Sequence, residues 1–145
     1  MPDNENTGKL VRTADVVAFA EMDGTRHVLL VTRGQSPFKG RLALPGGRVE
    51  RGESSRAAAA RELAEETGIV VPADALQFLG TWDTPGRDPR GNYSSDAYTV
   101  ELTDMPRPKP GSDAAAATWV PLPAAHRTLL ASDHNDMVSA ADSGH

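Results

Sequence analysis

The sequence predicts an α/β protein in which a sheet is sandwiched by helices. Three observations lead there. Strand-like runs dominate the chain, one strong helix pattern (Ser54–Thr67) sits in its middle, and two helical patterns close it. A sheet with helices available on either side covers both of its faces, which is a stable layer arrangement. At 145 residues the chain is the size of one domain with a real core.

Residues 1–9 are polar and are expected to fray, leaving residues 10–145 as a single domain. Val11–Ala20 and Arg26–Thr32 read as strands, joined at a hairpin turn marked by Asp23-Gly24. Residues 33–41 (RGQSPFKGR) are irregular; a short apolar stretch, Leu42–Pro45, and the Gly46-Gly47 pair follow. Ser54–Thr67 is rich in Ala, Glu, Arg and Leu, all good helix formers, and Gly68 stands where a C-cap is expected. Ala57, Ala60, Leu63 and Ala64 recur at helical spacing and define the expected buried face. Ala75–Trp82 reads as a strand, the Pro- and Gly-dense residues 84–92 as a loop, and Asp96–Leu102 as a strand. The three prolines of Met105–Ser112 exclude regular structure. A short strand is expected over Thr118–Leu122, then helices over Pro123–Leu130 and Asp133–Ala141, the latter capped by Ser132 or Asp133.

Composition narrows the function. With 15 Lys and Arg against 20 Asp and Glu, the net charge of −5 disfavours polyanion binding driven by bulk charge, so no nucleic-acid partner is expected. The absence of Cys excludes a disulfide scaffold, a thiolate zinc site and a Cys nucleophile. The polar start has no apolar signal region and no run approaches spanning length, so a cytoplasmic protein without a membrane partner is expected.

The chemistry concentrates in residues 47–69. Glu62, Glu65 and Glu66 fall at i, i+3 and i+4, so three carboxylates share one helical face. Like charges at this spacing repel one another. One reading is a solvated face laced with ion pairs, with Arg61 pairing to Glu65; the other is a site for a hard divalent cation, which favours carboxylate oxygens. The wider pattern decides between them. Gly47, Glu53, Arg61, Glu62, Leu63, Glu65, Glu66, Gly68 and Ile69 stand at fixed spacings, a pattern whose chance occurrence in a chain this long is on the order of 10⁻⁸.

That pattern resembles the signature of the Nudix hydrolase family at every position. The resemblance implies a Nudix-type α/β/α sandwich with a mixed sheet, and magnesium-dependent cleavage of a pyrophosphate bond, with manganese as an alternative ion. It implies that Glu62, Glu65, Glu66 and the Gly46 carbonyl hold the metal. Glu65 and Glu66 then serve catalysis, and Glu53 pairs with Arg61 to fix the loop on the helix. The metal would neutralise the pyrophosphate and activate a water.

Features outside the signature point to a branch. Pro85 lies 16 residues after Ile69 and opens an Arg87-Asp88-Pro89-Arg90 run. This stretch, Gly111–Leu122 and Ser132–Val138 look like the ADP-ribose pyrophosphatase branch. Arg87 and Arg90 are candidates for phosphate or ribose contact; alternatively the run pairs with itself through Asp88. Arg33 and Arg41 are phosphate candidates or solvated loop residues. Where this branch often carries a bulky aromatic before the Leu-Pro-Gly-Gly run, the chain has Leu42, so its adenine-binding surface departs from the usual one. Asp113 is the candidate catalytic base, with Glu101 behind it, and a capping or solvated role for Asp113 is the competing reading. Trp82, Tyr98 and Trp119 offer stacking surfaces or belong to the core; the four histidines read as structural or exposed.

The function expected is hydrolysis of ADP-ribose to AMP and ribose 5-phosphate, with a small nucleotide as partner and a homodimer admitted. Two alternatives stand beside it: a sanitising nucleoside triphosphate pyrophosphatase, and an ADP-ribose sensor without turnover. The intact signature and the lack of room for a second domain weigh against the sensor.

Overall fold

The structure is a computed structural model that describes residues 9–111 and 114–143. The start expected to fray therefore lies, except for Lys9, outside the described residues, as does Asp113. The elements are β1 (Leu10–Met22), β2 (Thr25–Arg33), β3 (Leu42–Ala43), β4 (Gly46–Arg48), α1 (Ser55–Thr67), a short 3-10 turn (Ala73–Ala75), β5 (Gln77–Trp82), β6 (Asn92–Glu101), β7 (Ala114–Pro121), α2 (Leu122–His126) and α3 (His134–Ser143).

The seven strands form one sheet in the order β3-β2-β1-β6-β5, with β7 on the other edge of β2 and β4 on β1. β1 and β6 run parallel and every other pair is antiparallel, so the sheet is mixed. β1 and β2 pair only near their turn, from Phe19↔Val28 to Met22↔Thr25. Beyond that they splay, and Leu42–Arg48 fills the fork: β3 pairs with β2, and β4 with Thr13–Asp15 of β1. The Pro45 carbonyl accepts from Val16 N–H at 2.9 Å inside this fork. The Gly46-Gly47 pair is thus part of a strand rather than a plain turn. Side chains at these glycines would collide with Asp15 and Glu62, respectively, so only glycine admits so close an approach.

Alternation along β1 divides the core. Ala14, Val16 and Ala18 pack with Ala58, Ala59 and Leu63 of α1. Val17 and Phe19 face the other way, onto Leu122 and Ala125 of α2 and Met137, Val138 and Ala141 of α3. This gives the expected α/β/α sandwich.

α1 has the expected ends. The Ser54 side chain accepts from Ala57 N–H, and Gly68 closes the helix in the left-handed conformation at φ 74°. Its buried face is not the expected one. Ser55, Ala58, Ala59, Leu63 and Thr67 are buried, whereas Ala57, Ala60 and Ala64 are only partly covered. Four consecutive alanines place a methyl in every direction, so apolar spacing alone does not orient the helix. Three further boundaries differ. β6 begins at Asn92, and β7 takes in alanines that carry little strand propensity and are recruited by pairing with β2. The helix expected over Pro123–Leu130 stops at His126, where a turn through Arg127 and Thr128 closes back on Ala124 and Ala125.

Candidate active site

The last two turns of α1 carry Glu62, Glu65 and Glu66, with no basic residue in the final turn. Carboxylates at this end face the negative pole of the helix as well as one another. Arg61 answers part of that charge. Its Nε and Nη2 donate to the two oxygens of Glu53 at 2.8 and 3.0 Å, Nη1 to Glu62 at 2.9 Å and Glu65 at 3.2 Å, and Nη2 also to the Arg48 carbonyl at 2.9 Å. Glu53 in turn accepts from Glu50 N–H at 2.9 Å. The hydrogen bonds from Arg61 and from the Glu50 amide hold the Glu53 carboxyl below its ordinary pKa. One guanidinium thus ties the loop before α1, strand β4 and the acidic face together.

Glu66 escapes that hub. It accepts from Gly46 N–H at 2.9 Å. Its pKa is pushed up to about 8, first by burial and further by Glu62 and Asp15, with the Gly46 bond and the Arg33 charge opposing. Glu65, by contrast, is exposed and accepts from Arg61.

These observations test the fit to a divalent cation. Two carboxyl groups gather at the closest approach of two elements: Glu62 lies under Gly47 and Glu66 against Gly46. Among the described residues no group of three acidic or imidazole side chains forms a complete cage. Magnesium needs none, because it commonly takes one or two carboxylates and fills its shell with water and substrate phosphate. Glu62 and Glu66 offer oxygen donors of the kind such an ion takes, and Glu65 is engaged by Arg61.

Glu66 also lines a cavity of about 260 Å³ whose walls include Asp15, Arg33, Phe38, Leu44, Gly46, Arg87, Asp88, Arg90, Tyr93, Ser132 and His134. Asp15 alternates with Val16 and so belongs to the α3 side of the sheet. The fork between β1 and β2 therefore lets a carboxylate from the α1 side reach a cavity on the opposite face.

The candidate arginines fall in different places. Arg87 is almost wholly buried and pairs with Asp133 through two bonds of 2.9 and 2.6 Å. Arg90 grips Asp88 through Nε at 3.0 Å and Nη2 at 2.8 Å, and lies over the Tyr93 ring at 4.6 Å. The Arg-Asp-Pro-Arg run thus pairs with itself through Asp88 while both arginines still border the cavity. Arg33 lines it too, held by a 2.7 Å bond from Nε to the Pro37 carbonyl. Arg41 does not; it is exposed, 5.5 Å over Phe38. Glu101 is engaged far from the cavity, by Arg26 at 2.6 Å. Tyr98 donates to or accepts from Ser55 in the core, and Trp119 N–H donates to the Pro106 carbonyl. These placements follow the core reading.

Sequence reasoning missed Asp15 and His134. Asp15 is 6% exposed in the apolar run of β1, and its Oδ2 accepts from the Ser95 hydroxyl. A lone acid among the apolar residues Ala14 to Ala20 is the signal. His134 is 8% exposed and accepts from Leu44 N–H at 3.0 Å; nothing in the spacing of the histidines marks it.

Comparison with known proteins follows the same direction. The NUDIX domain family model matches residues 9–141. The ADP-ribose pyrophosphatase of Methanocaldococcus jannaschii is 39% identical over 111 residues, 77% of this chain and 63% of that protein. The ADPR responsive transcriptional repressor NtrR of Acinetobacter baylyi is 32% identical over 131 residues, 89% of this chain and 52% of that protein. The chain thus spans only part of the length of these relatives. The NUDIX domain of Shewanella oneidensis NrtR, solved in complex with ADP ribose, superimposes with a TM-score of 0.86 at 30% identity, over 93% of this chain and 88% of that one. No helix among the described residues is long and apolar enough to cross a membrane.

Proposed function

The chain belongs to the Nudix family, and from that premise we propose that it hydrolyses the pyrophosphate bond of a nucleoside diphosphate derivative, ADP-ribose above others, with magnesium. The observation that carries the reading is Glu66, a partly buried α1 carboxylate delivered through the sheet fork into a cavity that also holds Arg33, Arg87 and Arg90. Acidic and basic groups both line that cavity. Glu62, Glu66 and the Gly46 carbonyl would hold the ion. When bound, it supplies charge neutralisation for the bridging phosphates and a water of lowered pKa.

The chain's own residues do the rest. Gly46 N–H orients the Glu66 carboxylate, Arg61 sets the position of Glu62 and of the loop before α1, and the arginines balance phosphate charge. Asp113 remains our proposed base from the sequence, and Glu65 a residue that acts near the ion after leaving Arg61. Product analysis tests the reading. The protein is incubated with ADP-ribose and magnesium, and AMP with ribose 5-phosphate is expected. No metal-dependent release of AMP from ADP-ribose or a nucleotide sugar would overturn it.

The repressor relative and the ADP-ribose complex of the S. oneidensis domain favour a second reading, ADP-ribose binding without turnover. Binding measured by calorimetry with no product after prolonged incubation in magnesium or manganese would select it.

A further inference from the structure

One gap in the cavity wall has a specific chemistry. His134 Nδ1 accepts from Leu44 N–H, so the single proton of the neutral ring sits on Nε2. Burial, first among the causes, lowers the His134 pKa and keeps the ring neutral. Nε2 lies 3.8 Å from Asp15 Oδ1, beyond hydrogen-bond reach. Asp15 is committed on its other oxygen, where Ser95 donates. Among the described residues no fully occluded side-chain nitrogen or oxygen lacks a partner, so Nε2, which has none in the protein, opens to the cavity that both residues line.

We propose that this gap binds a ribose hydroxyl of the substrate, the oxygen accepting from His134 Nε2–H and donating to Asp15 Oδ1. An oxygen at about 2.8 Å from each atom fits a separation of this size. Only a group that both accepts and donates satisfies the pair, and a hydroxyl does. A phosphate oxygen is repelled by Asp15, and a carbonyl leaves Asp15 without a donor. The position suits a sugar next to the diphosphate, because Asp15 lies against Gly46, beside Glu66. The inference rests on the nucleotide reading above and adds which wall of the cavity reads the sugar.

Steady-state kinetics in magnesium test it. ADP-ribose is compared with analogues lacking single hydroxyls of either ribose. Wild-type protein is compared with His134→Asn, whose side-chain oxygen can still accept from Leu44 N–H but has no Nε2, and with Asp15→Asn. Loss of one particular hydroxyl should lower kcat/KM roughly tenfold in wild type, and His134→Asn should lower it by a similar factor for ADP-ribose. For the analogue lacking that hydroxyl, His134→Asn should change almost nothing. Losses that multiply independently overturn the proposal, as does insensitivity of wild type to every deoxy analogue. That second arm needs no variant, so misfolding cannot mask the answer. An equal loss from His134→Asn on every substrate, each deoxy analogue included, would place a water in the gap and also overturn it. If wild type neither binds nor cleaves ADP-ribose or a triphosphate, the nucleotide reading itself falls and takes the subsite with it; if wild type turns ADP-ribose over but ignores the hydroxyls, only the subsite falls.

Discussion

Arg61 grips Glu53 through both carboxylate oxygens across eight residues of chain, and the same guanidinium reaches Glu62 and Glu65 on its own helix. The pair is therefore a strut between the loop and the acidic face. Arg61→Lys keeps the charge but loses the two-pronged geometry. It should lower kcat about 10- to 100-fold, the usual range for a residue that orients metal ligands. A double-mutant cycle with Glu53→Gln should show strong coupling. Independent losses would mean that the strut does not transmit position to the site.

Glu66→Gln keeps the shape of the side chain and removes its charge. Turnover should fall by at least about 10³-fold if the carboxylate holds the ion. The circular dichroism spectrum should stay that of the wild type, since Gln still accepts from Gly46 N–H. Near-normal turnover in a folded variant would remove Glu66 from the metal site.

The same residue makes a pH prediction for the protein in chelator. The folded-state pKa of Glu66 is about 8, above the ordinary value of 4.5. The folded state thus holds this proton more tightly than the unfolded chain does. Its contribution to stability is complete below about pH 4.5 and is lost as pH rises through 8. The Tm of the metal-free protein should fall between pH 4.5 and 8 through this group, and Glu66→Gln should flatten that fall. Equal slopes for the two proteins would refute the burial argument.

Much of this architecture was legible because local chemistry and tertiary need agree. Ser54 and Gly68 cap α1 where the residue types demand, and the signature positions converge on one helix end. The fork was not legible. Gly46-Gly47 reads as a turn, and only pairing with β1 makes it a strand. The orientation of α1 was hidden by its alanines, and the partner of Arg87 lies 46 residues away at Asp133. Asp15 and His134 come from opposite ends of the chain, so their approach is a property of the layers, not of any motif.

The two arginines of the Arg-Asp-Pro-Arg run should behave differently. The Arg87 side chain is 5% exposed and Asp133 17%. Arg87→Ala would leave a shielded carboxylate unpaired, and breaking such a pair costs about 3 kcal/mol. Arg90 is 44% exposed and Asp88 8%; because Asp88 keeps its bond from the Arg90 backbone N–H, Arg90→Ala should cost less than Arg87→Ala, about 1–2 kcal/mol. Urea denaturation of both variants checks the contrast; equal losses would contradict the burial difference.

Arg90 is therefore the cleaner probe of substrate choice. It stands at the cavity edge with one face on Tyr93 and two nitrogens on Asp88, so its position is set before any ligand arrives. A preorganised cation there suits the terminal ribose–phosphate half of ADP-ribose, leaving the bridging phosphates to the ion. A nucleoside triphosphate has no such half. Wild-type kcat/KM in magnesium should be higher for ADP-ribose than for an oxidised guanine triphosphate. Arg90→Ala should narrow that preference, by roughly 1.5–3 kcal/mol if one charge-assisted contact is lost. Side-by-side kinetics with ADP-ribose, a nucleotide sugar and the triphosphate decide the matter. If the triphosphate is the better substrate, the sanitising reading replaces this one. If the preference survives Arg90→Ala unchanged, recognition of the ribose–phosphate half lies elsewhere on the cavity wall.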